Sequence, residues 1–272
     1  NICVLYMPQI NTSLNNSDMN NVDKVAVCSR SFSKNHALRT ELLKRYSLVS
    51  FNDTGKQLEG DELIAFLRGH SKAITALECI DDDILSALPE LKVIGKYGVG
   101  LDMIDIDALR RHGVRLGWTG GVNRRSVSEL VICFVIAMLR HVSAAQREVL
   151  DGTWRQHVGG YLSGRTVGIL GCGHIGKDLV KLLQPWDCRI LSHDILNFSD
   201  FYTQYDVMPV DLSTLLKESD VVTLHLPLDS STRNILSAEK LALLKPTSIL
   251  INTARGGLVD ELALREMLKS GQ

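Results

Sequence analysis

Three glycines, Gly171, Gly173 and Gly176, stand at GxGxxG spacing and carry the most specific chemistry in the chain. An apolar run of strand length, Thr166 to Leu170, precedes them, and a helical pattern follows. In that setting Gly171 permits a tight turn, Gly173 lets a backbone approach a pyrophosphate, and Gly176 lets the helix pack close on the strand. The turn spans His174 and Ile175, whose backbone N–H groups open the helix and would face the phosphates, with the His174 side chain in solvent. Asp194 closes the next apolar run, which begins at Arg189. A carboxylate there accepts hydrogen bonds from the adenosine ribose and repels a 2′-phosphate. No arginine follows in Ile195-Leu196-Asn197, so the pattern points to NAD rather than NADP.

These groups need strands and helices to hold them, and the chain alternates the two. With 272 residues it can build two domains with their own cores. From Lys24 the pattern predicts strands over 25–28, 48–51, 73–77, 91–97 and 114–118. Helices are expected over 35–46, with Leu38, Leu42 and Leu43 inward, and over 61–67, 84–88 and 104–112. After the glycine turn, helices are expected over 211–218 and 238–244 and from Asp260, with strands over 221–226 and 248–252. Such alternation builds parallel sheets with helices on both faces, an α/β fold. Residues 1–23 are polar and Asn-rich beyond residue 10 and read as a flexible lead-in. Residues 119–125 form a glycine-containing break that reads as a hinge, leaving a first domain over 24–122 and a second over 123–272.

After the hinge, Ser126 and Glu129 match a capping box that would start a helix running to about Leu150. Its stretch Leu130 to Leu139 is apolar all round, which predicts burial of both faces. One face would lie on its own domain. The other would lie either within the same chain or on a second copy, and the chain is expected to form a homodimer through 126–150.

Composition narrows the partners. The net charge of −1 gives no general affinity for nucleic acid or an anionic membrane. The longest apolar run is too short to span a bilayer, and the start lacks the basic region of a signal peptide. Six cysteines are scattered singly without a CxxC, which predicts buried thiols of a cytoplasmic protein rather than disulfides, and no metal site.

The segments GILGCGHIG, VVTLHLPL and ILINTARGGLVDELAL, in this order, resemble the D-isomer-specific 2-hydroxyacid dehydrogenases. KYGVGLDMIDI and GGVNRRSVSEL extend the resemblance upstream, so that it covers Lys24 to Gln272 and is most similar to the phosphoglycerate dehydrogenase-like branch. It implies two Rossmann-like domains: a flavodoxin-like substrate domain and an NAD-binding domain with a doubly wound parallel sheet. It implies that Arg255 binds the substrate carboxylate and polarises the C2 carbonyl, where hydride addition builds negative charge that a guanidinium stabilises. Val99 and Gly100 would offer backbone N–H groups to the carboxylate. Leu226 and Pro227 would wall the adenine pocket, and Thr253 and Ala254 would line the cofactor. His225 would be structural or beside the cofactor, and Arg124 and Arg125 would either meet a phosphorylated substrate or lie solvated.

In such families a histidine paired with a glutamate supplies the proton. No histidine follows Arg255 here, and Asp260, Glu261, Glu266 and Lys269 match neither member of the pair. The expectation is a cofactor domain that is C-terminally incomplete, in a chain that binds NAD and turns over little. The implied activity is hydride transfer between NAD(H) and a small D-2-hydroxy acid or 2-keto acid, with 3-phosphoglycerate as a candidate. The alternative is a non-catalytic NAD-binding regulator, which a glutamate and histidine encoded after Gln272 would argue against.

Overall fold

The computed structural model describes residues 23–271; the expected lead-in over 1–23 lies, but for its last residue, outside them. The chain divides into two compact units that meet at Val122 and Asn123.

In the first unit, β1 (Lys24–Val27), β2 (Leu48–Phe51), β3 (Lys72–Thr75), β4 (Val93–Lys96) and β5 (Arg115–Gly117) form one parallel sheet. Its order is β2-β1-β3-β4-β5, the doubly wound arrangement whose topological switch point lies between β1 and β3. The helices are α1 (Arg30–Lys34), α2 (His36–Leu43), α3 (Gly60–Leu67), α4 (Asp82–Ser86) and α5 (Ile106–Arg111). Ser29, Asn35, Asp81 and Asp105 each cap a helix by accepting a backbone N–H. The core gathers Ala26 of β1 and Cys28 just after it with Leu63, Leu67, Leu85 and Ile94. Leu43 is not inward: α2 buries no residue, and Leu43 is half exposed. The apolar period is right for a helix, but α2 is an outer element of only eight residues.

The second unit holds α6 (Arg124–Leu139), α7 (Val142–Leu150), β6 (Thr166–Leu170), α8 (His174–Leu183), β7 (Arg189–His193), α9 (Ser199–Gln204), β8 (Val207–Pro209), α10 (Leu212–Glu218), β9 (Val221–Leu224), α11 (Ala238–Leu241), β10 (Ile249–Asn252) and α12 (Glu261–Ser270). Its parallel sheet runs β10-β9-β6-β7-β8 and switches direction between β6 and β9. One face packs Val167, Ile169 and Ile190 against Val131, Val135, Leu179 and Leu183 of α6 and α8. The other packs Leu170, Leu191 and Val222 against Leu215, Leu216 and Leu241 of α10 and α11. Residues buried on both faces explain why these strands are continuous apolar runs rather than alternating ones.

Two expectations about 126–150 need correction, and burial of the outer face within the same chain is not found. The helix starts at Arg124 with Asn123 as its N-cap, so Ser126 lies inside it and no capping box forms. Ser128 is the serine that bonds, donating back to Arg124 O and to Ile175 O. The helix also does not continue to Leu150: His141 adopts φ 53°, and α7 leaves α6 at 62°. Burial is one-sided, with Val131 and Val135 inward while Leu130, Phe134 and Met138 stay about half exposed. That is the stripe at i, i+4, i+8 that a single packed face leaves over. Among the described residues no single helix is long and apolar enough to cross a membrane; the bent α6–α7 pair passes by length and composition only. Of the five cysteines described, all unpaired, Cys28 and Cys172 are buried whereas Cys79 and Cys133 are exposed, so the expectation of buried thiols holds for part of the set. The described residues contain no group of three or more side chains suited to a metal ion.

Candidate functional site

The three glycines of the second unit differ in what surrounds them. Gly171 leaves β6 with φ +96°, and a Cβ on it would come within 2.8 Å of His225 O and 2.9 Å of a Leu226 methyl. A Cβ on Gly176 would lie 2.4 Å from Gly171 O. Both positions are closed by the protein itself, because helix, turn and neighbouring strand end touch there. Gly173 is exposed, and a Cβ on it would meet nothing within 4 Å. It is the N-cap of α8 and offers no side-chain cap, so the first N–H groups of the helix, at His174 and Ile175, are left without a capping side chain. The His174 side chain is exposed. This cradle sits at the switch point, since β6 is flanked by β9 on one side and β7 on the other.

Asp194 follows β7 directly and is half-buried. Its Oδ2 accepts the Cys172 N–H at 2.7 Å, which ties the strand end to the glycine turn, and its Oδ1 accepts the Leu196 N–H at 2.8 Å. Each oxygen keeps acceptor capacity for a ribose hydroxyl. Lys177, one turn into α8, is held over the Phe198 ring at 3.5 Å.

At the end of β9 the His225 N–H bonds to Leu170 O, and its Nε2 lies 3.0 Å from Thr223 Oγ1. Burial pushes the His225 imidazole down to about 4, and its Nδ1 is buried without a partner. Leu226 is half-buried and Pro227 exposed; Thr232 donates to Pro227 O and shapes that loop. At the end of the adjacent strand β10, Thr253, Ala254 and Arg255 are half-buried. Thr253 Oγ1 is buried without a partner. Arg255 donates from Nη1 to Ala254 O at 2.9 Å. Sequence reasoning missed the residue that fixes this loop. Asn252 accepts from Ala254 N and donates to Arg255 O, clamping the turn from both directions. An Asn at a strand end before a turn is the local signal that would have found it.

The open cradle at Gly173, the uncapped helix end, the Asp194 carboxylate and the orphaned Thr253 hydroxyl together fit a dinucleotide. Arg125 does not stand free as a phosphate ligand. Its Nη2 lies 3.1 Å from Oδ1 of Asp178, a buried residue of α8, so it anchors the cofactor helix to α6.

In the first unit, Val99 and Gly100 follow β4 and are half-buried. Gly98 takes φ +127°, a conformation that turns the chain sharply. Val99 O accepts the Trp118 indole N–H at 3.1 Å, and Tyr97 packs edge-on against Phe32 at 5.3 Å. These contacts hold the loop from both sides.

Residues 132–272 match the model of the D-isomer specific 2-hydroxyacid dehydrogenase family, NAD binding domain. The chain is 36% identical over 222 residues to a hydroxypyruvate reductase of Thermotoga maritima, covering 80% of this chain and 72% of that one. It is 34% identical over 195 residues to a D-3-phosphoglycerate dehydrogenase of Archaeoglobus fulgidus, covering 71% of this chain and 37% of the other. Among solved structures, the pyruvate reductase of Chlamydomonas reinhardtii superposes with a TM-score of 0.78 at 27% identity, over 92% of this chain and 74% of that one.

Proposed function

Because the chain belongs to the D-isomer-specific 2-hydroxyacid dehydrogenase family and carries its NAD-binding domain, we propose that it moves a hydride between NAD(H) and a small D-2-hydroxy acid or its 2-keto partner. The observation that carries the proposal is the glycine turn that is closed at Gly171 and Gly176 but open at Gly173, at a switch point. NAD is the family's cofactor. When bound, it gives or takes the hydride at the substrate C2.

The chain's own residues do the rest. Gly173, His174, Ile175 and the α8 N-terminus hold the pyrophosphate, and Gly171 and Gly176 keep the turn compact. Asp194 takes the adenosine ribose, Leu226 and Pro227 wall the adenine, and Thr253 and Ala254 line the cofactor. Val99 and Gly100 donate N–H groups to the substrate carboxylate. Arg255 binds that carboxylate and offsets charge on the carbonyl oxygen; the Asn252 clamp supports this by fixing its backbone. A cation preorganised at developing negative charge accelerates by staying put as the charge forms. His225, held neutral by burial, is a structural group at the strand end rather than the proton donor.

No other histidine among these residues is assigned the acid role. The 3-phosphoglycerate reading rests on the likeness to a phosphoglycerate dehydrogenase. A homodimer through 126–150 is supported by the exposed stripe Leu130, Phe134 and Met138 and by Val142, Val149 and Leu150. A cytoplasmic location is supported by the unpaired thiols. The regulator reading has no observation in its favour. The test is NADH oxidation with a panel of 2-keto acids, for the wild type and Arg255→Ala. Tight NAD binding with no response to any keto acid, even at high enzyme concentration, would overturn the assignment.

A further inference from the structure

Three polar residues where α6 meets α8 break local rules. The first is Asp178, buried in α8 together with Leu179, Val180 and Leu183, with 9% of its side chain exposed. A carboxylate in such a place needs partners. Its Oδ1 has the Arg125 Nη2 at 3.1 Å, but its Oδ2 is buried with none among the described residues. The second is Arg125 itself. The first turn of α6 carries Arg124 and Arg125 and no acidic residue, although the N-terminal end of a helix disfavours cations. The third is Ser128, buried inside α6, whose hydroxyl proton is shared between Arg124 O at 2.9 Å and Ile175 O at 3.3 Å.

Stability does not account for this set. A buried ion pair contributes little over well-packed apolar residues of similar volume, and one with an unsatisfied oxygen contributes less. Local rules broken together in this way mark a functional position.

The placement of the three residues shows which function. Arg125 and Ser128 are three residues apart and share one face of α6, while Ile175 and Asp178 are three apart and share one face of α8. The two ties, Ser128 to Ile175 and Arg125 to Asp178, therefore run side by side between the first turn of α6 and the start of α8. Further along, the same helices meet through Val131 and Val135 against Leu179 and Leu183, an apolar contact with no preferred direction. Among the described residues, the directional contacts between α6 and α8 thus gather at the end of α8 that carries the glycine turn. Ile175 accepts the Ser128 bond at its carbonyl, and its own N–H is one of the two assigned above to the pyrophosphate.

We propose that Arg125, Asp178 and Ser128 are positioning residues for the cofactor. They set the rotation and register of α8 so that the His174 and Ile175 N–H groups meet the pyrophosphate, and they act through the helix rather than by contact with the dinucleotide. The proposal rests on the reading that the α8 N-terminus holds the pyrophosphate. Such a constellation must be held within about 0.5 Å and 10–20° of its working geometry, and satisfied polar contacts specify a geometry that finely where apolar packing does not.

The experiment compares the wild type with Ser128→Ala, with Arg125→Met and with the double variant Arg125→Met, Asp178→Leu. Calorimetry reads NAD affinity, and urea denaturation without NAD reads stability. Arg125→Met leaves the Asp178 carboxylate buried without its partner, so it is expected to be less stable than the wild type. The double variant is expected to match or exceed wild-type stability and yet to bind NAD about ten-fold more weakly, the effect of loosening one hydrogen bond to a charged group. Ser128→Ala is expected to weaken NAD binding about three-fold, with stability close to that of the wild type. A pair that served the fold alone would recover NAD affinity together with stability in the double variant, and that result overturns the inference. A double variant less stable than the wild type also overturns it, as does wild-type NAD affinity in Ser128→Ala. Failure of the wild type to bind NAD overturns the reading of the glycine turn and the inference with it, whereas NAD binding that Gly173→Val abolishes and the double variant leaves intact overturns the inference alone.

Discussion

Replacing Gly173 with valine should separate cofactor binding from folding. A Cβ at this position meets no protein atom within 4 Å, and Gly173 has an ordinary negative φ of −73°. The folding penalty is then only the poorer N-cap, on the order of 1 kcal/mol. For NAD the change is severe, because the valine methyls occupy the space where the pyrophosphate meets the helix N–H groups. Hydrogen bonds to a charged group contribute about 1.5–3 kcal/mol each. Losing two of them weakens binding by about 10²- to 10⁴-fold, at 1.4 kcal/mol per decade. Gly176→Ala makes the contrast, since its Cβ would lie 2.4 Å from Gly171 O. That overlap is with backbone and cannot be relieved by a side-chain rotation. The expected cost is about 1–3 kcal/mol of stability or more. Calorimetry with NAD and urea denaturation without it read the two effects separately. Unchanged NAD affinity in Gly173→Val, or a stability loss as large as that of Gly176→Ala, would refute the reasoning.

Asp194→Ala should weaken NAD binding and narrow the preference over NADP, and it should loosen the turn through loss of the Cys172 N–H bond; wild-type protein that binds NADP as tightly as NAD in calorimetry would contradict this. In a catalytically competent form, Arg255→Ala should lower kcat/KM for 2-keto acids by about 10²- to 10³-fold with NAD affinity little changed, read by NADH oxidation. His225, held down to about 4 by burial, binds fewer protons folded than unfolded below its ordinary value. Its neutral form therefore supports the fold fully above about pH 6.5, and that support falls as pH drops toward 4, by roughly 3 kcal/mol at most. Urea denaturation of His225→Gln should show a flatter dependence over that window, and an unchanged slope would count against it. Asp in place of Leu150, which is 79% exposed, should shift a homodimer to monomer in sedimentation. A monomeric wild type would remove the dimer proposal. Asp at Val135, by contrast, should disrupt the core, because that side chain is 3% exposed.

The local features were legible in the amino-acid order because their causes are local. A strand–glycine–helix segment needs only neighbouring residues to define it. Asp194 could be placed at a strand end by counting apolar positions, and Asp211 and Asp260 could be read as helix starts, where the structure shows them capping α10 and α12. The doubly wound class followed from alternation of strand and helix. What alternation leaves open is which strand neighbours which: β6 pairs with β9 across more than fifty residues, a choice made by long-range burial. The same applies to the faces of α6. Its apolar residues run all round the helix, but only Val131 and Val135 are fully buried, with Ile132 and Leu139 packed in part against the same core, and the His141 backbone bends the chain away where the sequence shows no proline or glycine. Short elements such as α9 and β8 carry too few residues for a period to register. Arg125 and Arg30 look alike in sequence, each an arginine near a serine at the entry to a helix. Tertiary packing gives the first a buried aspartate from α8 and leaves the second without an ion pair among the described residues, because a charge's partner comes from whatever element folds against it.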